Sequence, residues 1–263
     1  MPDEALRERA DHGERGVRVL AAEVGSRHDR MIETTVSSGQ RAADDAWRLV
    51  AWLGLAAFFA VLAYGASVSD AEPTSEEPLY ESSFFVASAI GFAVMVGAAL
   101  LVALGTRKRE FFALHRPRSW PRAVGWSILL LIGVFVLSVA LSPVLDPAEE
   151  QGLLPERWPP PDALVFGLNA LSVVVVAPLA EELMFRGAGY SVLERFGWVA
   201  ACVGSAAAWA AAHGLLEGFP IIFGLGLGLG LLRRAAGSIV PGIVLHGVFN
   251  AIALSVAAGS ASG

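Results

Sequence analysis

Leu171-Ser-Val-Val-Val-Val-Ala-Pro-Leu-Ala180 is an almost unbroken apolar run, and it leads directly into Glu181-Glu-Leu-Met-Phe-Arg-Gly-Ala-Gly-Tyr-Ser-Val-Leu-Glu-Arg195. A charge inside a membrane span costs about 3 kcal/mol or more on insertion scales. Glu181, Glu182 and Arg186 therefore mark either a helix end with ordinary interfacial charges or a functional site. At helical spacing Glu182 and Arg186 stand four residues apart with the acid first, the favourable order for an ion pair. That pairing leaves Glu181 on a different azimuth, free to face something else. Pro178 lacks an N–H and would clash with the carbonyl of residue 174, so a kink or break is expected there.

The surrounding composition fixes the class. The chain has 263 residues, of which 55% are hydrophobic and only 17% charged, with a mean hydropathy of +0.57. A soluble domain would carry roughly a quarter charged residues. Several apolar runs approach or exceed the roughly 20 residues that cross a bilayer as a helix. The expected fold is an all-α, polytopic transmembrane helical bundle. The lone Cys202 excludes an intramolecular disulfide and reads as a small packing residue, because no His or acid lies at helical spacing beside it.

Residues 1–46 are polar and rich in both signs of charge, with no signal-peptide core; His12 and His28 there have no ligand partners at useful spacing. The expected spans are 47–69, 84–104, 122–145, 163 onward through the charged stretch, 198–213, 219–232 and 238–258, about seven with an eighth admissible. Trp47 and Trp52 read as aromatic anchors at the end of the first span. Loops 70–81 and 146–162 are acidic, whereas Arg107, Lys108, Arg109, Arg116, Arg118 and Arg122 crowd the loop between them. Basic loops face the cytoplasm, so the N-terminal tail is expected inside, as are Arg195 and Arg233–Arg234. The resulting division is a cytoplasmic tail (1–46), an N-terminal transmembrane region (47–162), a polar-centred core (163–258) and a short C-terminal tail (259–263). Gly224, Gly226, Gly228 and Gly230 alternate with Leu without the context of a phosphate loop; Gly224 and Gly228 form a small-xxx-small face for close helix approach.

Two further polar sites interrupt the apolar background: Trp209-x-x-x-His213 and His246-x-x-x-Asn250. Gly197 lies sixteen residues from both Glu181 and His213. A turn there would set the two at equal depth in an antiparallel helix pair. His246 lies about nine residues beyond the next inner turn near Gly237, and Asn250 shares its helix face. Glu181, His213, His246 and Asn250 can thus converge on one pocket. Such a set supports peptide hydrolysis in two ways. Glu181 can act as general base on water that His213 orients, with His246 and Asn250 donating to the oxyanion. Alternatively Glu181, His213 and His246 can hold zinc, which lowers the pKa of bound water to about 7. No His-Glu-x-x-His is present to favour zinc, and the residues leave both routes open.

At these residues the chain resembles the CPBP family of intramembrane proteases, which includes CAAX prenyl endopeptidases, bacteriocin-processing and immunity-related proteins and the abortive-infection group. The family pattern is Glu-Glu-x-x-x-Arg, Phe-x-x-x-His and His-x-x-x-Asn/Asp on successive helices. Here these are Glu181, Glu182 and Arg186, then Trp209 and His213, then His246 and Asn250, over residues 163–255. Phe111–Pro117 also resembles the family's pre-span segment. The resemblance implies that Glu181 and His213 activate water, that His246 and Asn250 form the oxyanion site, and that Glu182 and Arg186 form a structural ion pair. Trp209 replaces the family's Phe and is expected to shape the pocket wall. The implied protein is an integral membrane peptidase of a bacterial plasma membrane. It acts on a membrane-associated protein or peptide within the lipid bilayer, with no nucleic-acid partner, no certain cofactor, and zinc as the one candidate. The rival readings are a non-catalytic membrane scaffold or immunity-like partner-binding protein and, behind it, a transporter.

Overall fold

A computed structural model describes residues 44–68, 77–145, 158 and 160–260. The N-terminal tail with His12 and His28, most of both acidic loops and the last residues of the C-terminal tail lie outside the described residues. Compactness divides the chain into Met1–Trp47 and Arg48–Gly263.

Long apolar runs with internally satisfied backbones are the expected solution in a medium that cannot hydrogen-bond. Among the described residues there is no strand. The long helices are α1 (Asp44–Ser67), α2 (Ser82–Val102), α3 (Trp120–Leu141), α4 (Ala163–Phe196), α5 (Trp198–Ala211), α6 (Phe219–Ala236) and α7 (Val240–Ser260). Each expected span thus has a helix. By length and composition α1, α2, α3, α4 and α6 suffice to cross a membrane, whereas α5 and the Val240–Val256 part of α7 are shorter apolar helices. Val61, Phe58, Ile128, Leu129 and Phe135 are exposed, while Glu182 and Arg186 are completely buried. An apolar outside around a charged inside is the pattern of an integral membrane bundle.

The glycines of α6 let its neighbours close in on both sides. A methyl group at Gly224 would lie 2.7 Å from Leu137 of α3, and one at Gly228 would collide with Leu130. On the opposite side a methyl at Gly226 would stand 2.9 Å from Arg186 and 3.1 Å from Trp209. The small-residue face therefore packs on α3, and the intervening glycines bring α5 and α4 against the same helix.

One sequence expectation is overturned in α1. Trp52 is not an interfacial anchor: it is 1% exposed, and its indole N–H donates to the Met184 carbonyl at 3.1 Å. Gly189 makes room for its ring, because a Cβ there would overlap the indole.

The segment after α2 closes the basic end. Phe112 is buried and sits where a Cβ on Gly187 would be, 2.7 Å from its ring. Ala113 adopts a left-handed φ of 52°, uncommon for a residue with a Cβ, and its carbonyl accepts from the Ile239 N–H at 3.2 Å. Ser191 Oγ donates to the Phe111 carbonyl at 2.6 Å, Ser238 Oγ donates to that of His115, and the Arg118 N–H donates to Ala236 at 2.9 Å. Phe111–Pro117 is thereby a strap across α4, α6 and α7.

Candidate active site

The site is organised by α4, which does not break at Pro178 but widens. Ser172–Val176 is a π-helical segment, followed by an α-helical turn, Ala177–Glu181, and a second π-helical stretch, Glu182–Gly189. The Ala177 N–H reaches back to the Ser172 carbonyl. In that register the next donor would serve Val173, but the next residue is Pro178, which has none. Asn250 supplies the missing bond: its Nδ2 donates to the Val173 carbonyl at 2.9 Å. Gly247, one turn earlier on α7, lets the helices touch, since a methyl there would be 2.7 Å from the Val174 oxygen. A proline in one helix thus fixes an asparagine in another. Wide helical turns of this kind are frequent at functional sites.

Glu182 and Arg186 form a completely buried ion pair, Nη1 to Oε1 at 3.1 Å. The guanidinium stacks over the Trp209 ring with 4.3 Å to the centroid. Gly242 permits the approach of α7, because a Cβ on it would lie 3.0 Å from Glu182 Oε2.

Glu181 faces the other way, into a cavity of about 300 Å³ that is also lined by Trp209, His213, His246 and Asn250. Apart from Ser88 the rest of the wall is apolar, including Phe84, Phe92, Ile222 and Phe249. All four polar residues expected to converge therefore line one space. Trp209 does more than shape the wall: its Nε1 donates to Glu181 Oε2 at 2.6 Å, a bond that phenylalanine could not make. Sequence reasoning missed this role, although the signal was present in the one departure from the family pattern. The ring also meets His213 and His246 edge-on, with centroids 5.0 and 5.1 Å away.

The two histidines differ in setting. His213 Nδ1 lies 2.8 Å from the Trp209 carbonyl. A carbonyl only accepts, so Nδ1 carries the hydrogen and the neutral ring keeps its lone pair on Nε2. His246 is buried between the carboxylates, with Nε2 3.8 Å from Glu181 Oε2 and Nδ1 3.6 Å from Glu182 Oε1. Nδ1 has no hydrogen-bond partner. Among the described residues no three of His, Cys, Asp or Glu form a group that could hold a metal ion; as placed, Glu181, His213 and His246 line the cavity without forming a ligand set.

The cavity also has a direction. Its lining comes from the start of α2 and α6 (Phe84, Ile221), the end of α5 (His213) and the later turns of α7 (Ala253, Leu254). The start of α2 follows the acidic loop 70–81, and this end of the bundle lies opposite the basic strap.

Residues 163–252 match the family described as Rce1-like, type II CAAX prenyl endopeptidase. The match contains Glu181, Trp209, His213, His246 and Asn250 of the cavity together with Glu182 and Arg186. No curated protein and no solved structure matches the chain.

Proposed function

We propose that this chain, whose residues 163–252 belong with the CAAX-type intramembrane proteases, hydrolyses a peptide bond of a membrane-associated protein or peptide with water activated by Glu181 and His213. One observation carries the reading: Glu181 of α4, His213 of the turn after α5, and His246 and Asn250 of α7 line a single cavity whose other walls, Ser88 apart, are apolar. A polar group buried in such surroundings costs stability unless it is used or satisfied.

In the proposed sequence the His213 Nε2 lone pair accepts a hydrogen bond from water while the Glu181 carboxylate removes a proton. The hydroxide adds to the scissile carbonyl carbon. The resulting oxyanion accepts hydrogen bonds from His246 and from the second Nδ2 hydrogen of Asn250, the first being taken by Val173. Each such donor is worth about 3 kcal/mol of transition-state stabilisation. Glu181 then returns its proton to the departing amine as the C–N bond breaks. Trp209 fixes the carboxylate's orientation throughout, and no step needs a metal ligand set that these residues do not form.

The basic strap between α2 and α3 favours a cytoplasmic N-terminal tail in a bacterial plasma membrane. With that orientation the cavity, lying toward the acidic loops, receives its substrate from the non-cytoplasmic half of the bilayer.

The test compares wild type with Glu181→Gln at matched abundance in the native host, scoring new protein termini across the membrane proteome. Termini formed only by wild type are expected, and they identify the substrate. Equal termini with both proteins folded would exclude Glu181 as the base; no termini from either would transfer the assignment to a partner-binding scaffold.

A further inference from the structure

The opposite end of the bundle holds a second cavity, of about 470 Å³, between the strap and the inner ends of α4 and α6. Its walls carry three guanidiniums, Arg118, Arg233 and Arg234, with the carboxylates of Glu110 and Glu194. Glu110 is already engaged by Arg107, Nη1 to Oε1 at 3.3 Å, and Glu194 is exposed. Among the described residues none of the three arginines forms an ion pair.

Those arginines are held in place by neutral groups. Arg233 is only 8% exposed; its Nη2 donates to Ser191 Oγ at 2.8 Å and its guanidinium stacks on Tyr190 at 3.9 Å. Its Nε is buried without a hydrogen-bond partner. Arg234 stacks on Trp198 at 4.3 Å. Arg118 donates Nη1 to the Arg234 carbonyl at 3.3 Å and lies flat on Gly237, whose φ of +68° closes α6 and whose missing Cβ would stand 3.1 Å from Nε. A buried cation without an ion-pair partner is costly; Arg233 is such a cation, and the exposed guanidiniums of Arg118 and Arg234 converge with it around open volume.

We propose that this cavity binds a phosphate group, supplied by the headgroup of an anionic phospholipid. Guanidiniums match phosphate geometry through paired N–H donors, and the volume is ample, a water's share of liquid being about 30 Å³. Depth selects the lipid source. Trp120 and Trp198, at the same helix ends, are 48% and 42% exposed, the position of an interfacial aromatic belt. Basic pockets between helices at that level are lipid-headgroup sites. The proposal does not depend on the peptidase reading.

The test uses the full chain in dodecyl maltoside, with the thermal unfolding midpoint followed as phosphatidylglycerol, phosphatidylcholine or inorganic phosphate is added at constant ionic strength. Phosphatidylglycerol is expected to raise the midpoint saturably and phosphatidylcholine to leave it unchanged. Arg118→Gln and Arg234→Gln, both exposed and so tolerant of substitution, should each weaken the apparent affinity about tenfold. Arg122→Gln, basic and at the same end but outside the cavity, should not. An equal loss in Arg122→Gln would reduce the effect to general attraction and overturn the site, as would unchanged affinity in both cavity variants. Full protection by inorganic phosphate with none from the lipid would keep the phosphate site but refute the headgroup as its source.

Discussion

Removing the cation from the buried pair should be the most damaging single change in the core. In Arg186→Met the side-chain volume is kept while Glu182 loses its counter-charge at 3.1 Å. Glu182 Oε2 already has no hydrogen-bond partner, and only His246 Nδ1, 3.6 Å from Oε1, remains near. Breaking a buried pair from one side typically costs about 3–5 kcal/mol, and Arg186→Met should fall in that range. Glu182→Gln is gentler, because Arg186 keeps the Trp209 ring at 4.3 Å and a desolvated cation–π contact contributes about 2 kcal/mol. The double variant holds no unpaired charge and should recover part of the loss, with a coupling energy of about 1–3 kcal/mol. Unfolding of the full chain in mixed dodecyl maltoside and dodecyl sulfate micelles, followed by tryptophan fluorescence, measures all three. The reasoning fails if Arg186→Met lies within about 1 kcal/mol of wild type, or if the double variant is less stable than either single one.

Trp209→Phe should cost about 1.5 kcal/mol in the same assay, the lower end for a hydrogen bond to a charged group, because the Glu181 side chain is 14% exposed and water can replace the donor; unchanged stability would show that the 2.6 Å bond contributes nothing. Gly247→Ala should destabilise by about 1–3 kcal/mol through overpacking against the Val174 carbonyl, whereas Gly91→Ala, with nothing within 4 Å, should be neutral or gain up to about 1 kcal/mol. Equal effects at the two glycines would refute the close approach of α7 to α4. Asn250→Ala should lower the cleavage rate about 100-fold if it donates to the oxyanion. Pro178→Ala, which restores an N–H for the Val173 carbonyl, should give a smaller loss in the same terminus-counting assay. Wild-type cleavage by Asn250→Ala would remove that residue from the oxyanion site.

The helices were legible because each is an apolar run, five of them of about the length a bilayer demands, and the cavity because polar residues stand out against such runs. The counting from Gly197 worked since that residue turns the chain, with a φ of 97°, between helices that pack antiparallel. What escaped sequence reading depends on contacts at long separation. Trp52 looked interfacial because it lies near the start of its span, yet Gly189, far away in sequence, provides the slot that buries it. Asn169 drew no attention inside an apolar segment, but it is fully buried and donates Nδ2 to the Leu79 and Glu81 carbonyls at 3.1 and 3.0 Å, tying α4 to the turn before α2. Pro178 predicted a disturbance correctly in place, but instead of the expected break the helix runs on and widens. A missing N–H can be met by a break or by widening, and the choice is made by Asn250, which no local rule connects to residue 173.

These distant contacts share one physical role. The helix that carries Glu181 would be free to shift along its axis if held only by apolar packing, since lipid tails are as apolar as leucine. Polar bonds restrain it at three levels instead: Asn169 toward the acidic end, Asn250 at Val173 and Trp52 at Met184. Between the last two stand Glu181, oriented by the Trp209 N–H, and Glu182, neutralised by Arg186. Arg186 balances the deeper carboxylate while Trp209 stacks between that pair and Glu181, which is left as the acid facing the cavity. Two adjacent glutamates thus acquire different partners from the roughly 100° that separates successive helical residues. An electrostatic site in a low-dielectric medium gains from being fixed before substrate arrives, and here Asn169, Trp52 and Arg186 do the fixing from outside the catalytic set, together with the bond from Asn250 to Val173.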